Sequence, residues 1–276
     1  MQIKKILVLF SLLAIFLQSM AQGDLLITPT RVVFDGNKQK EELNLVNIGK
    51  DTAIYSISFL QFNMKEDGGF EAIEKTDSGQ MFADPYLRIF PRKVTLAPRE
   101  PQVISLQCRR KPNMASGEYR SHLYFRAEKE VKPLGLDNST SDSTQLKVQL
   151  IPIYGISIPI IIRTGAVNVG ATLGDLALET RQDSLLFLKF NINRTGNISI
   201  YGDFTVEYIP VGGKSYEIGN VKGVGVYTNI NKRVVSVKLH PRAAIALSGG
   251  KMVLKYTSAE TNKTPVLYAQ EELIIK

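Results

Sequence analysis

The chain has one cysteine, Cys108, and two histidines, His122 and His240. A lone cysteine excludes an intramolecular disulfide, so stability in an oxidising compartment must come from packing. Cys108 closes the run Val103–Cys108, where Ile104, Leu106 and Cys108 fall on one strand face. That is the setting of a buried apolar thiol rather than a reactive one. The histidines stand far apart in sequence, and His122 alternates with Tyr124 as a structural strand residue does. No serine elbow, Walker loop, HExxH helix or cysteine pair occurs, and the acidic residues are scattered through turns and strand ends. Nucleophilic, phosphate-binding and metal-assisted chemistry therefore have no residues to act through. The sequence reads as a non-enzyme without cofactor or metal.

Long charged blocks are lacking as well. The formal charge is +8 over 276 residues, and the densest basic cluster is CRRKP at 108–112. Without aromatic residues interleaved among the basic ones, no nucleic-acid partner is expected. Only one long apolar run exists: MQIKK is followed by ILVLFSLLAIFL and then QSMA. A cationic start, a short apolar core and small residues at Ser19 and Ala21 predict a secretory signal peptide over residues 1–21. A membrane-spanning helix needs roughly 20 apolar residues, more than this run supplies.

Beyond residue 21, strand signals dominate and no amphipathic helix stands out. Segments with strand character fall at 24–34, 41–48, 53–62, 85–96, 102–108, 118–127 and 145–163. They are separated by DGN, GKD, EDGG, APRE and PNMASG, and a similar series follows from 167 to 275. Short strands with frequent turns predict antiparallel sandwiches. RTGAV at 163–167 is the natural hinge, giving a first domain at 22–163 and a second at 164–276. The polar segment 128–144 reads as a long loop.

The strand after that loop, LKVQLIPIYGISIPIIIR at 146–163, is unusual. Every second residue from Leu146 to Ile162 is apolar, yet Pro152 and Pro159 interrupt it, and proline cannot donate to a ladder. Such a strand belongs at a sheet edge, where an exposed apolar row is normally a liability.

Several segments together are similar to the periplasmic pilus-assembly chaperones. ITPTRVVFDGN at 27–37 resembles the opening strand of that family, with its Arg-x-x-Phe-Asp-Gly ending. ELNLVNIGKDTAIYSISF, YLRIFPRKVTLAPREPQVISL, SGEYRSHLYF and YGISIPIIIR follow in the family's order, and LKFNINRTGNISIYGDFTVEY is similar more loosely. The resemblance implies an all-β fold of two immunoglobulin-like β-sandwich domains at an angle, located in the periplasm. It implies a chaperone that binds pilus or fibre subunits lacking a final strand and lends them an edge strand before delivery to an outer-membrane usher. Arg31 then matches the family's anchor for the subunit's terminal carboxylate. Leu146, Val148, Leu150, Pro152 and Tyr154 match the donor strand, and Glu118 and Arg163 match the family's hinge ion pair. A homodimer in which the donor edges cap each other is a further state such an edge allows.

The pattern departs at Pro159, where the family usually carries a lysine four residues before the strand-ending arginine. Ser157 and Ile158 beside it are not basic either. Arg31 alone, another cation, or a divergent fibre system would each accommodate that change. The competing reading is a structural or adhesive two-domain surface protein whose apolar edge closes its own sheet. The sequence names neither client, usher nor fibre type.

Overall fold

Strict alternation fixes which side of each strand meets a core. In IYGDFTVEYI, residues 200–209, buried and half-buried positions alternate throughout, because successive strand side chains point to opposite faces. The computed structural model describes residues 24–75, 80–128, 154–181, 185–241, 247, 249–259 and 264–275.

In the first half the strands are β1 (Leu25–Thr28), β2 (Val32–Phe34), β3 (Lys40–Asn47), β4 (Ala53–Met64) and β5 (Phe70–Ile73). They continue as β6 (Leu87–Phe90), β7 (Lys93–Leu96), β8 (Pro101–Cys108), β9 (Gly117–Glu128) and β10 (Gly155–Thr164). One sheet has the order β1-β3-β8-β6. The facing sheet runs β2-β10-β9-β4-β5, with β7 also on β4. The chain passes from one sheet to the other between β1 and β2, so the predicted single strand at 24–34 is two strands in different layers. Between the sheets lie Phe34, Leu43, Leu45, Leu96, Leu123, Phe125 and Ile160, all fully buried. Ile104, Leu106 and Cys108 face the same core, and burial pushes the Cys108 thiol pKa up.

In the second half the strands are β11 (Val169–Arg181), β12 (Leu185–Gly196), β13 (Ile200–Ile209) and β14 (Tyr216–Val226). They are followed by β15 (Lys232–Lys238), β16 (Lys251–Ser258) and β17 (Leu267–Ile274). Sheets β11-β12-β15 and β14-β13-β16-β17 enclose a second core. At its centre Phe204 stacks on Tyr256 at 4.2 Å, and the Tyr256 hydroxyl donates to the Val224 carbonyl at 2.8 Å. The molecule is all-β, built as two immunoglobulin-like sandwiches.

At the join, Gly165 has φ +66°, and a Cβ there would stand 3.0 Å from Ser116 Cα. Glycine is needed at that position both for its backbone angle and for the close approach. β5 was not foreseen, because it carries no alternation: three of its four residues are exposed. Within β11 the register with β12 shifts between Gly174 and Ala177, which changes the phase of the pattern.

Candidate functional site

On β9 the odd residues Tyr119, Leu123 and Phe125 enter the first core. Glu118, Arg120 and His122 occupy the opposite face, yet they too are buried, at 1%, 8% and 5% exposure. The second domain covers them. Glu118 Oε1 accepts from Arg120 Nη2 at 2.5 Å, and Oε2 accepts from the Ser199 backbone N–H at 3.1 Å and Oγ at 2.8 Å. Arg163, its neighbour across β10, reaches Oε2 through Nε at 3.4 Å. Burial alone would raise the carboxyl pKa, but Arg120, Arg163 and the Ser199 hydrogen bond outweigh it and hold the value at about 2. Both Glu118 and Arg163 belong to the first sandwich, and Ser199 is what ties their cluster to the second.

Arg120 also lies over the Tyr227 ring, with Cζ 3.7 Å from its centroid. His122 Nε2 is 3.1 Å from the Tyr227 hydroxyl, and the imidazole packs edge-on against Phe62 at 4.9 Å. Burial first, and the Arg120 charge second, lower the His122 pKa to about 3, so the ring is neutral. The β4–β5 hairpin extends beside this cluster to the second domain. Asn229 Nδ2 donates to the Met64 carbonyl at 2.8 Å, Met64 N–H donates to Asn229 Oδ1 at 3.3 Å, and Val234 N–H donates to the Glu66 carbonyl at 2.7 Å.

Arg31 stands just before β2. Its guanidinium lies 4.4 Å from the Tyr201 ring centroid. It lines a cavity of about 250 Å³ together with Arg163, Val33, Ser199, Tyr201 and Tyr268. Among the described residues no acidic side chain forms an ion pair with Arg31. Burial, then repulsion from Arg120, lower its pKa to about 10, with Glu118 opposing and Arg163 adding to the repulsion. It therefore remains a cation at neutral pH. A partly desolvated guanidinium with no acidic ion-pair partner among the described residues is suited to an incoming anion, above all a carboxylate.

The strand edge leads to this cavity. Ala127 N–H donates to the Tyr154 carbonyl at 3.0 Å, so by antiparallel alternation the even residues of β10 bond β9 and the odd ones direct their backbone groups outward. On that outward side β2 pairs in parallel with Ile160–Ile162 only. Among the described residues no strand pairs with Gly155–Pro159 there. Pro159 is one of the outward positions, so its missing N–H removes no bond to β9. Along the inward face Ile158, Ile160 and Ile162 are buried and Ile156 packs against the core, while Tyr154 is 54% exposed. Leu146, Val148, Leu150 and Pro152 lie outside the described residues.

The structure thus brings Arg31, Glu118 and Arg163 together at the join between the domains, with Tyr154 further along β10. Sequence reasoning missed Arg120, Ser199, Tyr201 and Tyr227. One signal for Arg120 was available: Glu118, Arg120, His122 and Tyr124 alternate with an apolar set, marking a polar face on a strand whose other face is core.

Fold and cleft together define a two-sandwich, all-β protein with a cationic cavity between its domains and, beside it, a stretch of β10 edge at Gly155–Pro159 that no strand covers among the described residues. No family model matches the chain, and no curated protein matches it in sequence. Among solved structures it is similar to the YadV chaperone, at 11% identity over 91% of this chain and 100% of that one, with TM-score 0.45. It is also similar to the CsuC–CsuE chaperone–tip adhesion subunit pre-assembly complex from archaic chaperone-usher Csu pili of Acinetobacter baumannii, at 14% identity, 91% and 97% coverage and TM-score 0.44. The SafA pilin–SafB chaperone complex of Salmonella enterica gives 11% identity, 92% and 97% coverage and TM-score 0.41.

Proposed function

We propose that the protein is a periplasmic chaperone for fibre subunits that lack their final strand, holding each one until an outer-membrane usher receives it. The observation that carries this reading is the β10 edge at Gly155–Pro159, which no strand covers among the described residues and which leads to the cavity lined by Arg31. A strand added to that edge gains main-chain hydrogen bonds from Gly155 and Ser157 and a carbonyl acceptor from Pro159, whatever its sequence. Leu146, Val148, Leu150, Pro152 and Tyr154 share a face with Ile156–Ile162 in the alternation, and they supply the side chains that fill the client's groove. Binding of this kind needs no chemical step and no nucleotide.

A client whose terminal carboxylate reaches Arg31 must run parallel to β10. β2 already occupies the far end of the same lane, parallel to β10, with Val32 opposite Ile160. A strand entering beside Gly155 and ending at Arg31 runs the same way, so its terminal carboxylate meets the guanidinium. A client strand running antiparallel would bring its N-terminus to Arg31 instead.

Co-expression with a secreted fibre subunit tests the reading. The wild-type protein is expected to co-purify with the subunit. Leu150→Asp and Tyr154→Asp are expected to abolish the complex while circular dichroism and thermal unfolding of the chaperone stay unchanged. Normal binding by both variants overturns the donor-strand assignment.

A further inference from the structure

The cavity at the domain join is lined by two arginines, Arg31 and Arg163, and their commitments differ. Arg31 has no acidic partner among the described residues. Arg163 has one, but only at the edge of reach: Nε stands 3.4 Å from Glu118 Oε2, and Nη2 stands 3.4 Å from the Ser199 carbonyl. Arg163 adds to the field that keeps Glu118 ionised, but the short contacts to the carboxylate come from other groups. Arg120 bonds Oε1 through both Nε, at 3.2 Å, and Nη2, at 2.5 Å, and Ser199 supplies two donors to Oε2. With the carboxylate satisfied by other groups, the Arg163 guanidinium keeps donors for something else. Its side chain is 20% exposed, and it lines the same cavity of about 250 Å³ as Arg31.

We propose that Arg163 is the second cationic ligand of the carboxylate cleft, with Arg120 taking over the hinge pairing that frees it. This rests on the reading that the cleft receives a polypeptide's terminal carboxylate. Two guanidinium groups then face one carboxylate, and a carboxylate has enough lone pairs for both. The cation comes from the end of β10, four residues beyond Pro159, and enters the cavity from the first sandwich's outer face. Arg31 keeps its charge beside the Tyr201 ring and in the field of Glu118, while the neighbouring Arg120 and Arg163 charges oppose it; a client carboxylate would relieve that repulsion.

Acetate is the probe, titrated into the full-length mature protein at constant ionic strength, with acetamide as the uncharged control. The side-chain Nε–Hε resonances of Arg31 and Arg163 are expected to shift together along one saturating curve with acetate, and to stay still with acetamide. Arg163→Gln is expected to weaken acetate binding by about tenfold, the scale of one charge-assisted hydrogen bond. Arg163→Lys, which keeps the charge, is expected to restore most of that loss. Saturation at Arg31 with Arg163 unmoved, and an Arg163→Gln affinity equal to wild type, overturns the proposal and leaves Arg31 as sole anchor. If neither resonance responds, the carboxylate-cleft reading itself fails.

Discussion

The two faces of β9 are buried equally well by opposite means. Leu123 and Phe125 on one face are fully buried in an apolar core, where contact is non-directional and no polar group needs a partner. Glu118, Arg120 and His122 on the other face are buried against the second sandwich. There each polar atom has to find a specific donor or acceptor, and among the described residues Arg120 Nη1 and His122 Nδ1 find none. The apolar face makes the first domain stable. The polar face sets how the second domain sits on it, and so shapes the cleft that holds Arg31.

The contrast is sharpest when one residue from each face is removed. Glu118→Gln keeps the shape but takes away the charge that Arg120 and Arg163 surround, at an expected cost of about 3–5 kcal/mol at neutral pH. Leu123→Ala opens a cavity in the core and costs about 2–5 kcal/mol. Their pH profiles separate them. Glu118 titrates at about 2 in the folded protein against an ordinary 4.5. Its stabilisation is therefore complete above pH 4.5 and is lost as pH falls toward 2. Denaturant titrations are expected to show the Glu118→Gln penalty shrinking over that window while the Leu123→Ala penalty stays constant. Parallel profiles would mean that the charge on Glu118 does not hold the domains together.

How much of this was legible in the sequence depended on how local the signal was. Arg31 followed by Val33-Phe34-Asp35-Gly36 is a contiguous motif, and the alternation of Ile156 to Ile162 marks an inward face by itself. Glu118 and Arg163 were also reachable, since the strands carrying them were recognisable and they prove to be cross-strand neighbours. The rest depends on how two separately folded sandwiches meet. Ser199, Tyr201 and Tyr227 lie at strand ends and turns of the second domain, and nothing in their own neighbourhoods points toward β9. The parallel pairing of β2 with β10 was hidden for a related reason. The segment 24–34 reads as one continuous strand, and only the sheet order reveals that the chain changes layers within it.

His122 offers a gentler way to perturb the polar face. Its folded pKa of about 3 lies below the ordinary 6.5, because burial and Arg120 disfavour the imidazolium. Between those values the unfolded chain binds a proton that the folded one refuses. Stability therefore falls as pH drops below 6.5, at about 1.4 kcal/mol per pH unit. His122→Leu removes that linkage, and its stability between pH 6.5 and 5 is expected to be flat where the wild type slopes. A retained slope would assign the acid sensitivity to other groups and leave His122 as a plain packing residue.

The smallest effect is expected at the end of β4, where the β4–β5 hairpin meets the second domain. Asn229→Ala removes the side chain that bonds both the N–H and the carbonyl of Met64, which is itself buried. Asn229 is only half-buried, so water can replace part of what is lost, and the expected destabilisation is about 1 kcal/mol. The informative readout is orientation rather than stability. If the polar contacts set the domain arrangement, residual dipolar couplings of Asn229→Ala are expected to report broader interdomain motion while each sandwich keeps its own alignment. Couplings identical to wild type would show that the Asn229–Met64 bonds do not control domain geometry, and would leave that role to the Glu118 cluster and to the hairpin's other contacts, Val234 N–H with the Glu66 carbonyl and Phe70 with Tyr227.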